Sequence, residues 1–473
     1  MKTYLNKLIV FSLLLVACNN SRLITSPIPT QALPLQISSQ GDSNTFSLLG
    51  RNQFIEDPLL LSLIDTALVY NNDLQMAFQK IEMAKSNQLF NKGLLIPQVQ
   101  LGSSISARRF GLYTMDGAGN STTDIIQNKK VPVDLPDIWM GLQSSWEIDI
   151  RGKLNNQKKS TLAKLLSTEE GVRFIQTNLV ADISSSYYQL LSFDHELDII
   201  FATKAKQTEA LEFIKAQKDA GKANELAVQQ FNAQLISLSL LEQELKQQII
   251  IEENRLNYLV GRFPQAIKRN KTSLYTSTNI DTTGIPSSIL QHRPDIKAAA
   301  YALEASKFDL KAANAAFYPN FTISSSIGFQ AFNAEYVFKS PESIAYNVAG
   351  NLVAPLINRS AIKANFKLSQ AYQLEAAAQY QQKILNGFVE VKNELSELTH
   401  LKQISKLAIQ KNKEDKNAVE SAFSLYKSAR ATYLDVLLTQ QNALQSEIEL
   451  VNTARRLKIA NIKLYKSLGG GWR

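Results

Sequence analysis

The chain has 473 residues, 45% of them hydrophobic and 20% charged, with a formal net charge of +9 and a single cysteine, Cys18. One cysteine excludes a disulfide framework, so stability has to come from packing. Both signs of charge are spread along the sequence with no basic tract interleaved with aromatics, which argues against nucleic-acid binding.

The start, MKTYLNKLIVFSLLLVAC, has Lys2 and Lys7 followed by an apolar run from Leu8 to Ala17. This is the pattern of a secretory signal peptide over 1–17, too short for a spanning helix. Leu15-Val16-Ala17-Cys18 resembles a bacterial lipobox, which implies cleavage before Cys18 and lipidation of its thiol; an unmodified core cysteine is the competing possibility. Asn19 follows, not the aspartate that retains lipoproteins in the inner membrane, so the implied address is the outer membrane. Removal of the leader takes Lys2 and Lys7 away and lowers the charge to about +7. Residues 18–55, rich in Ser, Pro, Asn and Gln, read as a lipid-anchored tether with little capacity to form a core.

Helical patterning starts at Asp57-Pro58, with Leu60, Leu63, Ile64, Ala67 and Leu68 on one face, and continues to about Lys92. From Val99 the period becomes two. Val99, Leu101, Ile105 and Ala107 define one strand, and Ile138, Met140, Leu142, Trp146, Ile148 and Ile150 a second, separated by a Gly-, Asn- and Thr-rich loop at 108–136. A run without proline from Asp137 to Phe263 then predicts a long helical hairpin reversing near Lys218 to Lys222. Gln265 to His292 is a polar linker by composition, closed by Arg293-Pro294-Asp295.

The same order then repeats. Strands are predicted at Phe321, Ile323, Ile327 and Phe329 and at Tyr346, Val348, Leu352, Ala354 and Leu356, with a shorter loop at 332–345. Leu356 to Arg473 has no proline and predicts a second long hairpin, reversing near Tyr426 to Thr432. Its last helix carries a heptad-like seam through Leu434, Leu437, Gln441, Leu444, Ile448, Val451, Arg455, Lys458, Ile462 and Tyr465. An offset of 222 pairs Asp73 with Asp295, Glu82 with Glu304 and Pro97 with Pro319; beyond the first hairpin an offset of 208 pairs Leu226 with Leu434 and Gly261 with Gly469. Two constant registers mark an internal duplication. The expected domains are therefore a signal peptide at 1–17, a tether at 18–55, a first repeat at 56–264 with strand pair 97–150, a linker at 265–292, and a second repeat at 293–473 with strand pair 318–357.

The strands have the length that crosses a bilayer when tilted, apolar on one face and small or polar on the other. A soluble half-buried sheet would show the same period, but the remaining chain is long helix and offers nothing to cover it. Four strands cannot close a barrel, and an open edge is not tolerated in lipid, so several subunits have to share the barrel.

The strings SSWEIDIRGKL (144–154), RPDIKAAA (293–300), AAFYPNF (315–321), PLINRSAI (355–362), YLDVLLTQQNAL (433–444) and LYKSLGGGW (464–472) resemble the TolC-like outer membrane efflux proteins, in their OprM/CusC/NodT-like lipoprotein branch. The resemblance spans nearly the whole mature chain. It implies a mainly α fold with transmembrane β structure: a homotrimer giving four strands per protomer to a twelve-stranded outer-membrane barrel above a periplasmic α-barrel. It further implies a periplasmic adaptor and an inner-membrane RND-type transporter as partners. For the periplasmic gate, Tyr426 and Asp435 match the family's tyrosine and aspartate, with Tyr426 expected to hold the ionised carboxylate. Leu438 replaces a second aspartate, Ala431 an arginine, and Ala227 is the first-repeat counterpart of an acidic mouth residue.

Catalysis has no such support. His195, His292 and His400 are far apart in sequence, in no metal-ligand spacing, and no nucleotide-binding or nucleophile motif occurs, so neither cofactor nor metal is expected. The leading expectation is a passive duct of a tripartite efflux pump exporting small molecules. The duct of a type I protein secretion system is the alternative within transport. A lipid-anchored coiled-coil scaffold or adhesin is the alternative of another class, and it predicts neither amphipathic strands nor duplication.

Overall fold

The computed structural model describes Pro34, Ile37, residues 50–126, 129–276, Ile285, 287–355, Ile357 and 359–472. The signal peptide and Cys18 lie outside the described residues. In chain order the elements are α1 (Arg51–Phe54), α2 (Pro58–Tyr70), α3 (Asn72–Gly93), β1 (Gln98–Arg109), α4 (Met115–Thr122), β2 (Asp124–Ile126), β3 (Lys129–Lys130), β4 (Asp134–Ile148), α5 (Lys153–Asp219) and α6 (Glu225–Val260). After two short 3-10 turns, Lys271–Leu274 and Ser287–His292, come α7 (Pro294–Ala315), β5 (Asn320–Ala331), β6 (Ile344–Val353), α8 (Ser360–Lys427) and α9 (Tyr433–Ser467). Two compact units result, and α3, α5, α7 and α8 each contribute residues to both. Among the described residues no helix is long and apolar enough to cross a membrane.

One unit contains the sheet. Its antiparallel order is β1-β4-β5-β6, so the central pair joins the first repeat to the second. Gly141 faces Gly328 across that pair. A Cβ on Gly141 would lie 2.3 Å from the Ile327 carbonyl oxygen, and one on Gly328 would lie 2.4 Å from that of Met140, so both positions require glycine. The insert between β1 and β4 contains α4 and the two-stranded β2–β3 ribbon, whereas the β5–β6 connection contains a 3-10 turn at Ala334–Tyr336.

The other unit holds the main core, both reversals of the helical hairpins and the whole of α6 and α9. Asp57 starts α2 by accepting from the Leu59 and Leu60 amides at 2.8 and 3.4 Å, with proline next in line. Its second oxygen accepts from the Tyr187 hydroxyl at 2.8 Å and the Ser273 hydroxyl at 2.5 Å, and Tyr187 in turn accepts from the Asn270 amide at 3.0 Å. One buried carboxylate thus ties α2, α5 and the inter-repeat segment together. Around it Leu60, Ile64, Ile183, Leu190, Leu256 and Leu464 are fully buried.

The duplication is visible in contacts. Asn71, buried between α2 and α3, donates to the Leu259 carbonyl at 2.9 Å and caps α3 through the Leu74 amide at 2.9 Å. Its counterpart at an offset of 222 is Arg293, which donates to the Ser467 carbonyl at 2.8 Å, and Ser467 is Leu259 shifted by 208. Arg293 also grips Asp295 at 3.0 and 3.1 Å and Glu390 at 2.7 Å, which explains the Arg-Pro-Asp string. Beside these contacts, Gly261 (φ +82°) abuts the Tyr70 carbonyl, where a Cβ would come within 2.2 Å, and Gly469 (φ +89°) packs on His292. Only glycine serves at Gly261, on both conformational and steric grounds.

Two segments pack more than their composition predicts. Of the expected tether, Ile37, Phe54 and Ile55 are buried in the main core, Phe54 stacking on Tyr465 with ring centroids 4.0 Å apart. Ile37 also bonds to Ile285 at 2.9 Å and accepts from Lys392 at 3.0 Å. Of the expected linker, Leu274, Ile285, Ile289 and Leu290 are buried, and Arg269 docks it on Asp194 at 2.5 and 2.8 Å and on Glu253. A few apolar side chains spaced among Ser, Thr and Pro suffice, because the scaffold already offers a surface to bury them. The seam predicted on the last helix is buried at Val451, Lys458, Ile462 and Tyr465, but towards the reversal Val436 is buried while Leu434 and Gln441 are exposed.

Asp57→Ala removes the α2 cap and strands two buried hydroxyls. It is expected to lower stability by roughly 2–4 kcal/mol, read as an earlier denaturant midpoint, while Asp57→Asn, which keeps an acceptor, loses less.

Candidate functional site

Alternation within the strands combines with register to give the sheet two unlike faces. Val99, Leu101 and Ile105 of β1 lie level with Ser144, Leu142 and Ile138 of β4. Leu142, Trp146 and Ile148 meet Ile327, Ile323 and Phe321 of β5, which meet Tyr346, Gly350 and Leu352 of β6. The apolar side chains therefore form one field, and among the described residues nothing covers it: Leu101 is 72% exposed, Ile105 82%, Tyr346 79% and Val348 71%. From Ile138 to Ile148 the strand covers about 34 Å, and a tilt of roughly 40° turns this into about 26 Å of height, that of the apolar band of an outer-membrane barrel.

The opposite face carries Gln98, Gln100, Ser104, Ser106, Gln143, Ser145, Thr322, Ser324, Ser326, Asn347 and Asn351, all neutral. Charges on this face stand at its ends, where Asp137 accepts from Gln330 at 2.8 Å and Glu147 pairs with Lys153 at 2.9 Å. Trp139 also belongs to it, lying over the space left by Gly102, whose Cβ would sit 3.3 Å from the indole. Among the described residues, strands β1 and β6 each keep one edge without a partner strand.

The reversals of the helical hairpins are the second candidate region. After α5, Gly221 adopts φ +72° and the Lys222 amide reaches back to the Gln217 carbonyl at 2.8 Å; after α8, Ala429 adopts φ +56° and the Arg430 amide reaches back to Leu425 at 2.9 Å. These are the same left-handed helix stop, with alanine at the place of glycine in the second copy. The next helices start on Asn224 and Thr432, whose side chains accept from the Ala227 and Asp435 amides at 3.0 and 3.4 Å.

Asp435 lies within the first turn of α9 and completes a capping box, its carboxylate accepting from the Thr432 amide and hydroxyl, both at 2.7 Å. Those bonds hold its pKa below the ordinary aspartate value. The capping contribution is thus present above the free aspartate's pKa and is lost as the pH falls through the lowered one. The partner holding the ionised carboxylate is Thr432, not the expected Tyr426. Tyr426 instead packs edge-on to Phe213 at 6.3 Å, in a cluster with Ala227, Phe231 and Val436 that binds the two hairpins to each other. Burial raises its hydroxyl pKa. Ala227, at an acidic position of the related pattern, is fully buried, and Leu438 is half exposed. His195 bonds to the Lys271 carbonyl at 2.9 Å and lies edge-on to Tyr275, a packing role.

Residues 63–262 and 285–470 match the profile of the family described as outer membrane efflux protein. The chain is similar to the solvent efflux pump outer membrane protein SrpC of Pseudomonas putida, 27% identical over 445 residues that cover 92% of this chain and 90% of that one. It is 26% identical over 448 residues to the cation efflux system protein CusC of Escherichia coli K12, covering 94% of each. It is also 27% identical over 454 residues to SilC of Salmonella typhimurium, named a probable outer membrane lipoprotein, covering 94% of this chain and 93% of SilC. A solved CusC structure superposes with a TM-score of 0.80 at 25% identity, over 96% of this chain and 99% of that one. The Campylobacter jejuni CmeC outer membrane channel shares the fold, with a TM-score of 0.80 at 21% identity over 95% and 94% of the two chains.

The left-handed stops make a testable pair. Ala429→Gly is expected to stabilise the second reversal by about 1 kcal/mol and Gly221→Ala to destabilise the first by a similar amount. Hydrogen exchange of amides at the adjoining helix ends, which should slow in the first variant and quicken in the second, checks both.

Proposed function

The chain belongs to the outer membrane efflux protein family, and from that premise we propose that three copies close one twelve-stranded barrel, forming the passive outer-membrane duct of a tripartite efflux pump. The observation that carries this is the sheet: an apolar field open on one side, a neutral polar face on the other, and two free edges. In lipid, free edges leave backbone groups unsatisfied, and joining β1 of one copy to β6 of the next removes them. The apolar field then faces lipid and the Gln, Ser, Thr and Asn face lines water.

The helical hairpins supply the periplasmic part. Their exposed apolar side chains, among them Leu226, Ile236, Leu240, Leu407 and Leu434, are covered by neighbouring copies. The strand-joining hairpins face the exterior. A periplasmic adaptor and an inner-membrane RND-type transporter complete the pump, so the chain's task is passage and not chemistry. The names of its relatives range over solvents, cations and pyoverdine. A lumen of neutral amides and hydroxyls suits small molecules of varied charge. The gate lies at the helix reversals, where the threefold axis gathers three copies of Asp435 in an anionic ring, each kept ionised by its own Thr432.

Purified protein in detergent is expected to have the mass of three chains; a stable monomer would contradict the closed ring. In a planar bilayer it should conduct cations preferentially and be blocked by divalent cations from the periplasmic side. Asp435→Asn keeps a capping acceptor but removes the charge, so it should weaken block and selectivity together.

Lipidation of Cys18 anchors the duct, and dual acylation gives stable anchoring where one chain gives marginal binding. Cys18→Ser should leave the precursor uncleaved, which mass spectrometry of the amino terminus would detect.

A further inference from the structure

Between the two strand-joining hairpins lies a cleft of about 290 Å³. Ile125 and Pro132 of the first hairpin, Pro136 and Ile138 of β4, and Phe332 and Tyr336 of the second hairpin form its walls. Pro136 and Ile138 share a face with Ala107 and Ile105, so the cleft opens on the side of the sheet that carries the apolar field. β4 and β5 are the central strands. Joining copies through β1 and β6 therefore leaves the cleft uncovered, at the outer rim of the membrane.

Its charge is as telling as its shape. Lys130 lines the cleft, its ammonium making one long contact, 3.5 Å, to the Ser121 carbonyl. Lys339 is not part of the lining, but its ammonium lies 4.7 Å from the centre of the ring of Tyr336, which is. The acid in the lining, Asp134, is paired with Arg109 at 3.6 Å. An apolar slot with one lysine in its lining and a second stacked on the ring of its Tyr336 is complementary, at a membrane surface, to a lipid carrying phosphates, and a volume at the small end of ligand sites fits a single slender chain.

We propose that this cleft binds a phosphorylated acyl glycolipid of the outer leaflet, one acyl chain lying in the slot between Ile138 and Tyr336 and its phosphates meeting Lys130 and Lys339. The assignment rests on the reading of the apolar field as the lipid-facing side. It adds to that reading a specific annular lipid, seated once per protomer.

The test titrates delipidated full-length trimer with lipopolysaccharide, with phosphatidylglycerol and inorganic phosphate as separate arms, and counts bound molecules by native mass spectrometry. Lipopolysaccharide is expected to saturate at one per protomer, phosphatidylglycerol to bind at least about tenfold more weakly, and phosphate not to compete. The double variant Lys130→Ala, Lys339→Ala should weaken lipopolysaccharide binding about tenfold or more, as loss of charge-assisted contacts does. Ala334→Trp, which fills the cleft and leaves both lysines in place, should weaken it likewise. Equal binding of the two lipids, competition by phosphate, or wild-type binding by either variant would overturn the proposal. A trimer that conducts but shows no saturable lipopolysaccharide overturns the cleft alone, whereas a chain that neither trimerises nor conducts overturns the duct itself.

Discussion

Each repeat is fastened by a clasp between the start of the helix that precedes its strands and the end of its last helix. Asn71 holds the carbonyl of Leu259, and Arg293 holds that of Ser467. A helix end leaves carbonyls without partners, and both clasps use one of them as an anchor point. The glycine two residues on lets the following backbone come close enough to make contact. Without these clasps, four helices leaving the core would have their directions set by side-chain packing alone. With them, the base of each hairpin is tied to the helix that precedes the strands.

The first clasp uses a neutral amide and the second a buried guanidinium with two carboxylates. Duplication conserved the geometry and left the chemistry free to differ. The same holds at the reversals, where Gly221 and Ala429 occupy equivalent left-handed positions. At the clasps and the reversals the departures from symmetry fall at side chains, while the backbone contact repeats. A symmetric scaffold with unequal details gives two related hairpins separate surfaces to offer to neighbours and partners.

Much of this architecture is legible in the sequence because long elements leave strong periodic traces. The four strands of the sheet stand out by alternation, and the helices by the absence of proline. The offsets of 222 and 208 contain the clasps as well, since they carry Asn71 onto Arg293 and Leu259 onto Ser467, but dissimilar side chains hide the match. Burial of Ile37 and Leu274 in segments of polar composition was illegible for another reason: isolated apolar residues show no period, and only the surface that receives them reveals their role. The bond from Thr432 to Asp435 could have been read as a Thr-x-x-Asp cap before an apolar run. Trp139 escaped because alternation assigns it to the polar face, where a large ring is not anticipated; glycine at 102 makes the room.

Burial of Ile37 has a mechanical consequence. Its backbone is held by Ile285 and Lys392, and its side chain is fully enclosed. The proposed lipid on Cys18 is then joined to a fixed point by a short leash. The chain from Cys18 to Ile37, whatever its path, reaches no farther than roughly 65 Å at about 3.3–3.6 Å per residue. With that lipid in place, any pull that draws the core away from the bilayer beyond that reach would be borne by the acyl chains. Under the proposed lipidation the anchor would act as a depth stop, limiting how far the duct could slide along the membrane normal.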